Sequence, residues 1–178
     1  MLEALLAFSL VKRLAEDRLL SIHRLVQVVQ QERLSAEEQR QWAERLVRAV
    51  HVVFPREPQE VASWQACLRY LDQVQACDTL IREQRLLLPE AAELLDRAGT
   101  YLRERALYSL AEPLFQQSLS IWEQQAKPQP ASKAQSLNHL ADLYVSQGKY
   151  AAAESLYTWP YPSSSSRWER NTLCSSMH

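Results

Sequence analysis

The sequence predicts an all-α fold in which helical hairpins stack as a short α-solenoid, with a small β-hairpin near the N-terminus. The first observation is composition: only 2 of 178 residues are glycine, and Gln, Glu, Arg, Leu and Ala dominate. These residues lose little side-chain entropy in a helix. The second is that apolar residues recur at helical spacing between the prolines. The third is that the second half matches itself after a fixed shift, which is typical of repeat proteins.

The N-terminal segment mixes helical and extended patterns. Residues 2–10 are apolar, and we expect them to be helical. Residues 11–22 contain two short apolar runs on either side of a polar turn at 15–18, a pattern that predicts a β-hairpin. Residues 23–34 carry an apolar stripe at helical spacing. The segment is therefore expected to form a hairpin between two helical stretches.

The middle of the chain predicts two further helical blocks. Ser35 followed by Glu38 has the spacing of a capping box, so a helix is expected to begin there and to end before the next proline. A second block covers 60–88, and we expect a break in it near Asp72 or Asp78. Both blocks alternate apolar and polar faces, which predicts packing against neighbouring helices.

The second half contains a self-match with a period of 42 residues, since Ala111 aligns with Ala153 (153 − 111 = 42). The shift places small residues where two helices must touch, and it places aromatic residues where neighbouring hairpins meet. A generic helical hairpin with a chance self-match is the alternative interpretation. The positions that we assign to the repeat signature are Gly99, Leu102, Tyr108, Ala111, Phe115, Leu140, Tyr144, Gly148, Tyr150, Ala153 and Tyr157.

These residues resemble the tetratricopeptide repeat. Residues 136–157 match the family pattern of one helix, a turn at Gly148 and a second helix with Ala and an aromatic. Residues 98–119 match less well, because Ala106 stands where the turn glycine belongs and weakens that turn. The period of 42 is similar to the longer repeats of kinesin light chains, whose extra residues lengthen the second helix and its loop. Residues 122–132 are expected to form that loop.

The resemblance also implies a candidate binding surface. In this family the first helix of each repeat lines a concave groove, so it places Asn138 and Asp142 there, together with their first-repeat equivalents Asp96 and Thr100. An amide such as that of Asn138 can both donate to and accept from a peptide backbone. The alternative is that these are solvated polar residues with no ligand.

The N-terminal half resembles another pattern. Residues 9–30 are similar to the end of the winged-helix-like module that follows the nucleotide-binding domain in bacterial NB-ARC (STAND-type) signalling NTPases. The order of features beyond it, with Phe54-Pro55 and then Trp64 and Cys67, is also similar. The sequence has no GxxxxGK[ST] motif, so the ATP chemistry of that family is not implied. The resemblance implies a sensor region without its NTPase domain.

The tail, residues 158–178, departs from the repeat and contains four consecutive serines. One interpretation is an irregular Ser-rich tail. The other is a frameshift, because a choice of synonymous codons for residues 159–173 yields ALSIIEQSLGAEHP in a second frame. That string resembles the continuation of the first repeat, so the tail is interpreted as a frameshifted end of a longer array.

The remaining composition excludes several classes of function. A net charge of −1 gives no reason to expect nucleic acid, and no apolar run approaches the roughly 20 residues that span a bilayer. Three cysteines without a CxxC pair favour a reduced, cytoplasmic location. Neither the four histidines nor any motif has the spacing of a metal, cofactor or catalytic site. The histidines in question are His23, His51, His139 and His178; of these, His23 is interpreted as a structural cap or packing residue, and Cys67 and Cys77 are interpreted as core residues.

The predicted organisation has four parts: a partial winged-helix-like module at 1–34, pre-repeat helical hairpins at 35–89, two repeats at 90–157 with the second incomplete, and the tail. The expected function is a non-enzymatic protein-interaction module of bacterial origin that binds a protein or peptide of unknown identity. Self-association through the uncapped C-terminal repeat is also expected. The alternative is a truncated gene fragment with no independent function.

Overall fold

We describe the fold from a computed structural model, in which residues 11–14, 19–22, 34–126 and 129–157 are described. The chain divides into two compact units, Met1–Arg45 and Leu46–His178. The elements are β1 Val11–Leu14, β2 Leu19–Ile22, α1 Ala36–Val53, a 3₁₀ turn Val61–Ser63, α2 Trp64–Glu83, α3 Pro89–Glu104, α4 Tyr108–Gln124, α5 Pro130–Ser146 and α6 Tyr150–Tyr157. Helices therefore make up most of the described chain.

The two strands form an antiparallel pair in the first unit. Val11 lies opposite Ile22, and Leu14 lies opposite Leu19. The pair occupies the segment in which the sequence predicts a hairpin. The helix expected at 2–10 and almost all of the helix expected at 23–34 lie outside the described residues.

Helix α1 begins at the capping box. The Ser35 backbone N–H donates to Glu38 Oε2 at 2.9 Å, and the Glu38 backbone N–H donates to Ser35 Oγ at 3.3 Å. The reciprocal bonds satisfy amides at the start of the helix that have no partner inside it. They also lower the pKa of Glu38, chiefly through the bond from the Ser35 backbone. The prediction of this helix start is therefore confirmed.

Only part of the predicted apolar stripe of α1 and its C-terminal end is buried. Val47, Val50 and Phe54 have exposed fractions of 5% or less. In contrast, Trp42 and Leu46 are 56% and 42% exposed. The Trp42 ring carries the Arg45 guanidinium at 5.0 Å from its centroid. The stripe predicted from the sequence consists of Trp42, Leu46, Val50, Val53 and Phe54. The prediction is confirmed for Val50 and Phe54 and is wrong for the other three, since Val47 takes the buried position that the spacing gave to Leu46.

Helix α2 is continuous, so the expected break near Asp72 or Asp78 is wrong. Asp72 is exposed and needs no partner. Asp78 pairs with Arg82, whose Nη2 lies 3.1 Å from Asp78 Oδ2. This i,i+4 pair supports the helix at the position where an isolated aspartate would weaken it.

The two cysteines of α2 lie on its buried face. Both Cys67 and Cys77 are fully buried, and neither forms a disulfide. Burial raises the pKa of Cys77 to about 11, and it also raises the pKa of Cys67. A thiol that stays protonated is a poor nucleophile and a poor metal ligand. These side chains therefore act as small apolar core residues.

The second unit contains two successive helical hairpins, α3–α4 and α5–α6, which pack against each other. Helix α4 continues to Gln124 and α5 begins at Pro130, so the connection is shorter than the predicted loop at 122–132. Ile121 and Trp122 are 3% exposed, and their burial extends α4 by a turn. Pro130 lies in the first turn of α5, where its missing N–H costs no helical hydrogen bond.

Three helices end with the same backbone motif. Arg85, Ala106 and Gly148 follow α2, α3 and α5, with φ of 49°, 58° and 73°. In each case the next residue donates its N–H to a carbonyl five residues earlier, at 3.0, 2.9 and 2.8 Å. This is the Schellman ending, in which a left-handed residue lets the last carbonyls find donors. The Ala106 turn therefore has the same hydrogen bonds as the glycine turn. The three donor–acceptor pairs are Leu86 to Ile81, Leu107 to Leu102 and Lys149 to Tyr144.

Candidate protein-binding surface

The contact between the two hairpins is centred on Phe115. Its side chain is fully buried, and its ring centroid lies 5.7 Å from that of His139 on α5. On the other side lies Gly99, where an added Cβ would lie 2.7 Å from Phe115 Cε1. Close approach of the ring therefore requires glycine at this position. An aromatic from one hairpin is held between its own first helix and the next hairpin.

The equivalent positions in the second hairpin are arranged differently. Tyr157 is half-buried, and its hydroxyl donates to Asp142 Oδ1 at 2.5 Å. Ala141 stands at the position equivalent to Gly99 and is fully buried. The small residues Ala111 and Ala153 are both buried where the two helices of each hairpin touch.

The remaining positions assigned to the repeat signature divide into a buried and a more accessible group. Leu102 and Leu140 are buried, Tyr108 and Tyr144 are half-buried, and Gly148 lies in its turn. Tyr150 is 69% exposed.

A chain of buried polar groups connects the two hairpins around Asp96. The Ser136 hydroxyl donates to Asp96 Oδ2 at 2.5 Å, and it lies 3.2 Å from the hydroxyl of Ser118. Thr100 Oγ1 donates to the Asp96 carbonyl at 2.9 Å. His139 Nδ1 lies 3.7 Å from Asp96 Oδ1, and neither atom has a hydrogen-bond partner within the described ranges. The hydroxyl chain therefore fixes the register of α5 on α3.

The four predicted groove residues do not share one surface. Asp96 and Thr100 are 8% and 7% exposed, because α5 packs over them. Asn138 is exposed, and the side chain of Asp142 is 43% exposed. The structure thus brings Asn138 and Asp142 together on one accessible stretch of α5 and places their equivalents inside. Their role as partner contacts stays a prediction.

Two charged residues with structural roles were not identified from the sequence. Arg97 on α3 donates to the carbonyls of Phe54 and His51, both at 3.1 Å. Burial lowers the pKa of this guanidinium, although the Glu93 carboxylate opposes the shift. The bonds join α3 to the C-terminal end of α1. No spacing rule links an arginine to carbonyls more than 40 residues earlier in the chain, so the sequence carried no signal for this contact.

The second of these residues is Glu112 on α4. Its carboxylate accepts from the Tyr144 hydroxyl at 3.1 Å and from Gln116 at 3.3 Å, and Lys149 Nζ lies 3.7 Å away. Burial and the nearby carboxylate raise the pKa of Tyr144, while the bond from Gln116 lowers it. Only the i,i+4 spacing to Gln116 was visible in the sequence.

The described part of the chain offers few other candidate sites. Within it, no group of three or more His, Cys, Asp or Glu side chains could hold a metal ion. In the same residues, no helix has the length and apolar character needed to cross a membrane. The accessible stretch of α5 therefore remains the candidate surface that the repeat pattern identifies.

Comparisons with known proteins agree with the repeat geometry. Residues 90–159, which cover both hairpins except for Pro89, match the family model described as tetratricopeptide repeat. The chain is 41% identical over 66 residues to Nephrocystin-3 of Xenopus tropicalis, and 39% identical over 66 residues to Nephrocystin-3 of Xenopus laevis. Each match covers 37% of this chain and 5% of the relative, so the chain spans a small part of these proteins. No solved structure matches significantly. The family match and the stacked hairpins together identify a tetratricopeptide-repeat region at these residues.

Proposed function

We propose that this chain is a protein-interaction module in which the tetratricopeptide-repeat hairpins bind a protein or a peptide. The observation that carries the proposal is the family match over residues 90–159, which is the part of the chain where α3–α4 and α5–α6 stack. Repeats of this kind generally mediate protein–protein binding, since stacked hairpins make a continuous surface. The proposal assigns the chain no catalytic reaction and no cofactor.

The contact surface that we propose is the accessible stretch of α5. Asn138 offers an amide that can pair with a peptide backbone in both directions. Asp142 adds a carboxylate held by Arg103, whose Nη1 lies 3.4 Å away, and by Tyr157. A carboxylate that is already oriented loses little freedom when a partner binds. Asp96 and Thr100 would support this surface from beneath rather than touch the partner.

The wider setting of the module is also part of the proposal. The pattern of residues 9–30, followed by the helices α1 and α2, supports an origin next to a bacterial NB-ARC-type signalling NTPase, in the cytoplasm. In that setting the four predicted parts, at 1–34, 35–89, 90–157 and 158–178, would form the sensor region. Binding of a partner would then be reported to an NTPase domain that this sequence does not contain.

Self-association is a second proposed property of the repeat region. Val145 on α5 and Tyr150 on α6 are 40% and 69% exposed, so apolar surface is available beside the second hairpin. Exposed apolar groups of this kind favour contact with a second copy. Sedimentation velocity at increasing protein concentration tests the property, and a monomer at every concentration would contradict it.

The binding experiment starts from a random peptide library displayed on phage and selected against the immobilised full chain. Peptides that bind are then titrated against the variants Asn138→Ala and Glu154→Ala. We expect Asn138→Ala to weaken binding about two- to twelvefold, since one hydrogen bond contributes roughly 0.5–1.5 kcal/mol. Glu154 is exposed on α6 and serves as the matched control, with unchanged affinity. Equal affinity for both variants would contradict the assignment of this surface.

The alternative of a gene fragment without independent function predicts different behaviour in solution. A folded module should melt cooperatively when its helical circular dichroism is followed with temperature. A broad melt accompanied by aggregation would favour the fragment, and peptide selection should then enrich nothing.

A further inference from the structure

Three parts of the second unit lie at the same end of its stacked helices. At the end of α3, the Arg105 guanidinium lies 4.9 Å from the centroid of the ring of Trp64, the first residue of α2. Glu112 Oε2 in the first half of α4 lies 3.7 Å from Nζ of Lys149, which precedes α6. The start of α2 and the turns inside the two hairpins are therefore neighbours. We call them the turn edge, which comprises residues 61–68, 105–112 and 145–150.

The turn edge exposes a row of large apolar side chains. Each of its three parts contributes two of them, and they are between 40% and 71% exposed. Single apolar residues on a surface are ordinary, whereas a row that crosses three neighbouring parts of a fold is typical of an interaction site. The six residues are Val61, Leu68, Leu107, Leu110, Val145 and Tyr150.

The exposed area of this row is close to what a protein interface requires. From their exposed fractions, the six side chains offer on the order of 500 Å², which is near the upper end of the about 300–600 Å² of the largest apolar patch on a typical monomer. A standard interface buries about 800 Å² on each partner, with an apolar centre and a polar rim. The row therefore supplies the centre of one such interface, and the polar residues around it supply the rim.

The charges at the two ends of the row favour a second copy of this chain as the partner. Glu60 is exposed at the α2 end, and Lys149 is exposed at the α6 end. In a two-fold dimer the same patch meets itself, so the Glu60 end of one copy faces the Lys149 end of the other. Opposite charges therefore meet at both ends of the contact, and apolar side chains meet between them.

We propose that the turn edge is the surface through which two copies of this chain form a two-fold dimer. The proposal rests on the self-association proposed above and assigns it a surface, which adds the α2 and α4 residues of the row. Leu107 and Leu110 lie nearest the axis, because the α3–α4 hairpin stands between α2 and the α5–α6 hairpin. Val61 and Leu68 of each copy pack on Tyr150 of the other.

The first test measures the dissociation constant of the dimer of the full chain by sedimentation equilibrium. Leu110→Glu should weaken the dimer at least tenfold, since it brings two carboxylates together beside the axis. A glutamate in the first turn of α4 suits the helix dipole, so the thermal melt should be unchanged. Leu87→Glu is the matched control, because Leu87 is 41% exposed beyond the opposite end of α2, and its dissociation constant should stay within twofold.

The second test places a cysteine beside the axis. In a Cys174→Ser background, Leu110→Cys should form a disulfide-linked dimer under mild oxidation. Leu87→Cys in the same background should run as a monomer on a non-reducing denaturing gel. Cys67 and Cys77 are buried, so they do not compete for the new thiol.

Two results would overturn the proposal, and they differ in what else they affect. If the parent chain is a monomer at every concentration, self-association fails together with this surface, and the proposed binding of a peptide to α5 is untouched. If the chain dimerises but Leu110→Glu and Leu68→Glu leave the dissociation constant unchanged, self-association holds and the turn edge is not its surface.

Discussion

The two hairpins α3–α4 and α5–α6 follow one plan but differ in what covers them. Phe115 of the first is fully buried against α5, whereas its equivalent Tyr157 is half-buried and uses its hydroxyl to bond Asp142. Asp96 is buried under α5, whereas its equivalent Asn138 is exposed. The same position in the repeat is thus core in one copy and surface in the other. Candidate partner contacts therefore belong to the second copy.

The largest predicted effect on stability comes from Phe115 and Tyr157, the equivalent aromatic residues of the two hairpins. We expect Phe115→Ala to lower the free energy of unfolding by about 3–5 kcal/mol, because it leaves a cavity between two packed hairpins. Tyr157→Ala should cost less than about 2 kcal/mol, since the ring is only half-buried. Urea unfolding followed by circular dichroism measures both. Equal losses would show that the second hairpin is covered as fully as the first.

A smaller effect is expected at the glycine that faces Phe115. In Gly99→Ala the new Cβ would lie 2.7 to 2.9 Å from three ring atoms of Phe115, so ring and helix must separate. Overpacking of this kind costs roughly 1–3 kcal/mol. The better helix propensity of alanine returns up to about 1 kcal/mol. We therefore expect a net loss of stability, measured as a lower urea midpoint.

The control for this prediction is a cycle with Phe115→Leu, which removes ring atoms. If the clash is the cause, Gly99→Ala should cost less in the Phe115→Leu background, and the two changes should not add. Additive effects would contradict it. Ala141→Gly, at the equivalent position of the second hairpin, should lower the free energy of unfolding by about 1 kcal/mol through helix propensity. The loss of a buried methyl group should add somewhat to this.

Much of the fold could be predicted from residue types at a fixed spacing. The 42-residue shift aligned Ala111 with Ala153 and Tyr108 with Tyr150, and both members of the second pair begin the second helix of a hairpin. The capping box at Ser35 was visible because its two bonds are local. Local chemistry and periodicity are properties of the sequence itself, so these features needed no knowledge of tertiary contacts.

The candidate surface could be predicted only in part, because a self-match treats equivalent positions as equal. It paired Asp96 with Asn138 and Thr100 with Asp142, and it gave all four the same role. Whether a position is covered depends on which helix packs over it, and that contact has no local signal. The same reason explains Arg97, whose carbonyl partners lie far away in the sequence.

The smallest predicted effect is at the turn inside each hairpin, where the two hairpins differ in residue type. Ala106 and Gly148 hold the same left-handed backbone, with φ of 58° and 73°. In the left-handed region, a residue with a Cβ is destabilised by roughly 1–2 kcal/mol, because the Cβ approaches the following carbonyl oxygen. Glycine avoids this cost, but its larger loss of backbone entropy on folding costs about 0.4–1 kcal/mol more. Ala106→Gly should therefore stabilise the chain by less than about 1 kcal/mol, and Gly148→Ala should destabilise it by a similar amount.

The two turn variants check each other in urea unfolding. An added Cβ at Gly148 would meet no atom within 4 Å, so any cost of Gly148→Ala comes from the backbone and not from a clash. If Ala106→Gly lowered the urea midpoint instead, the first turn would not hold a left-handed residue, and the Schellman bond from Leu107 to Leu102 would be lost with it. Opposite shifts of similar size would show that the two turns differ in residue type alone, and that the difference between the hairpins lies in their packing.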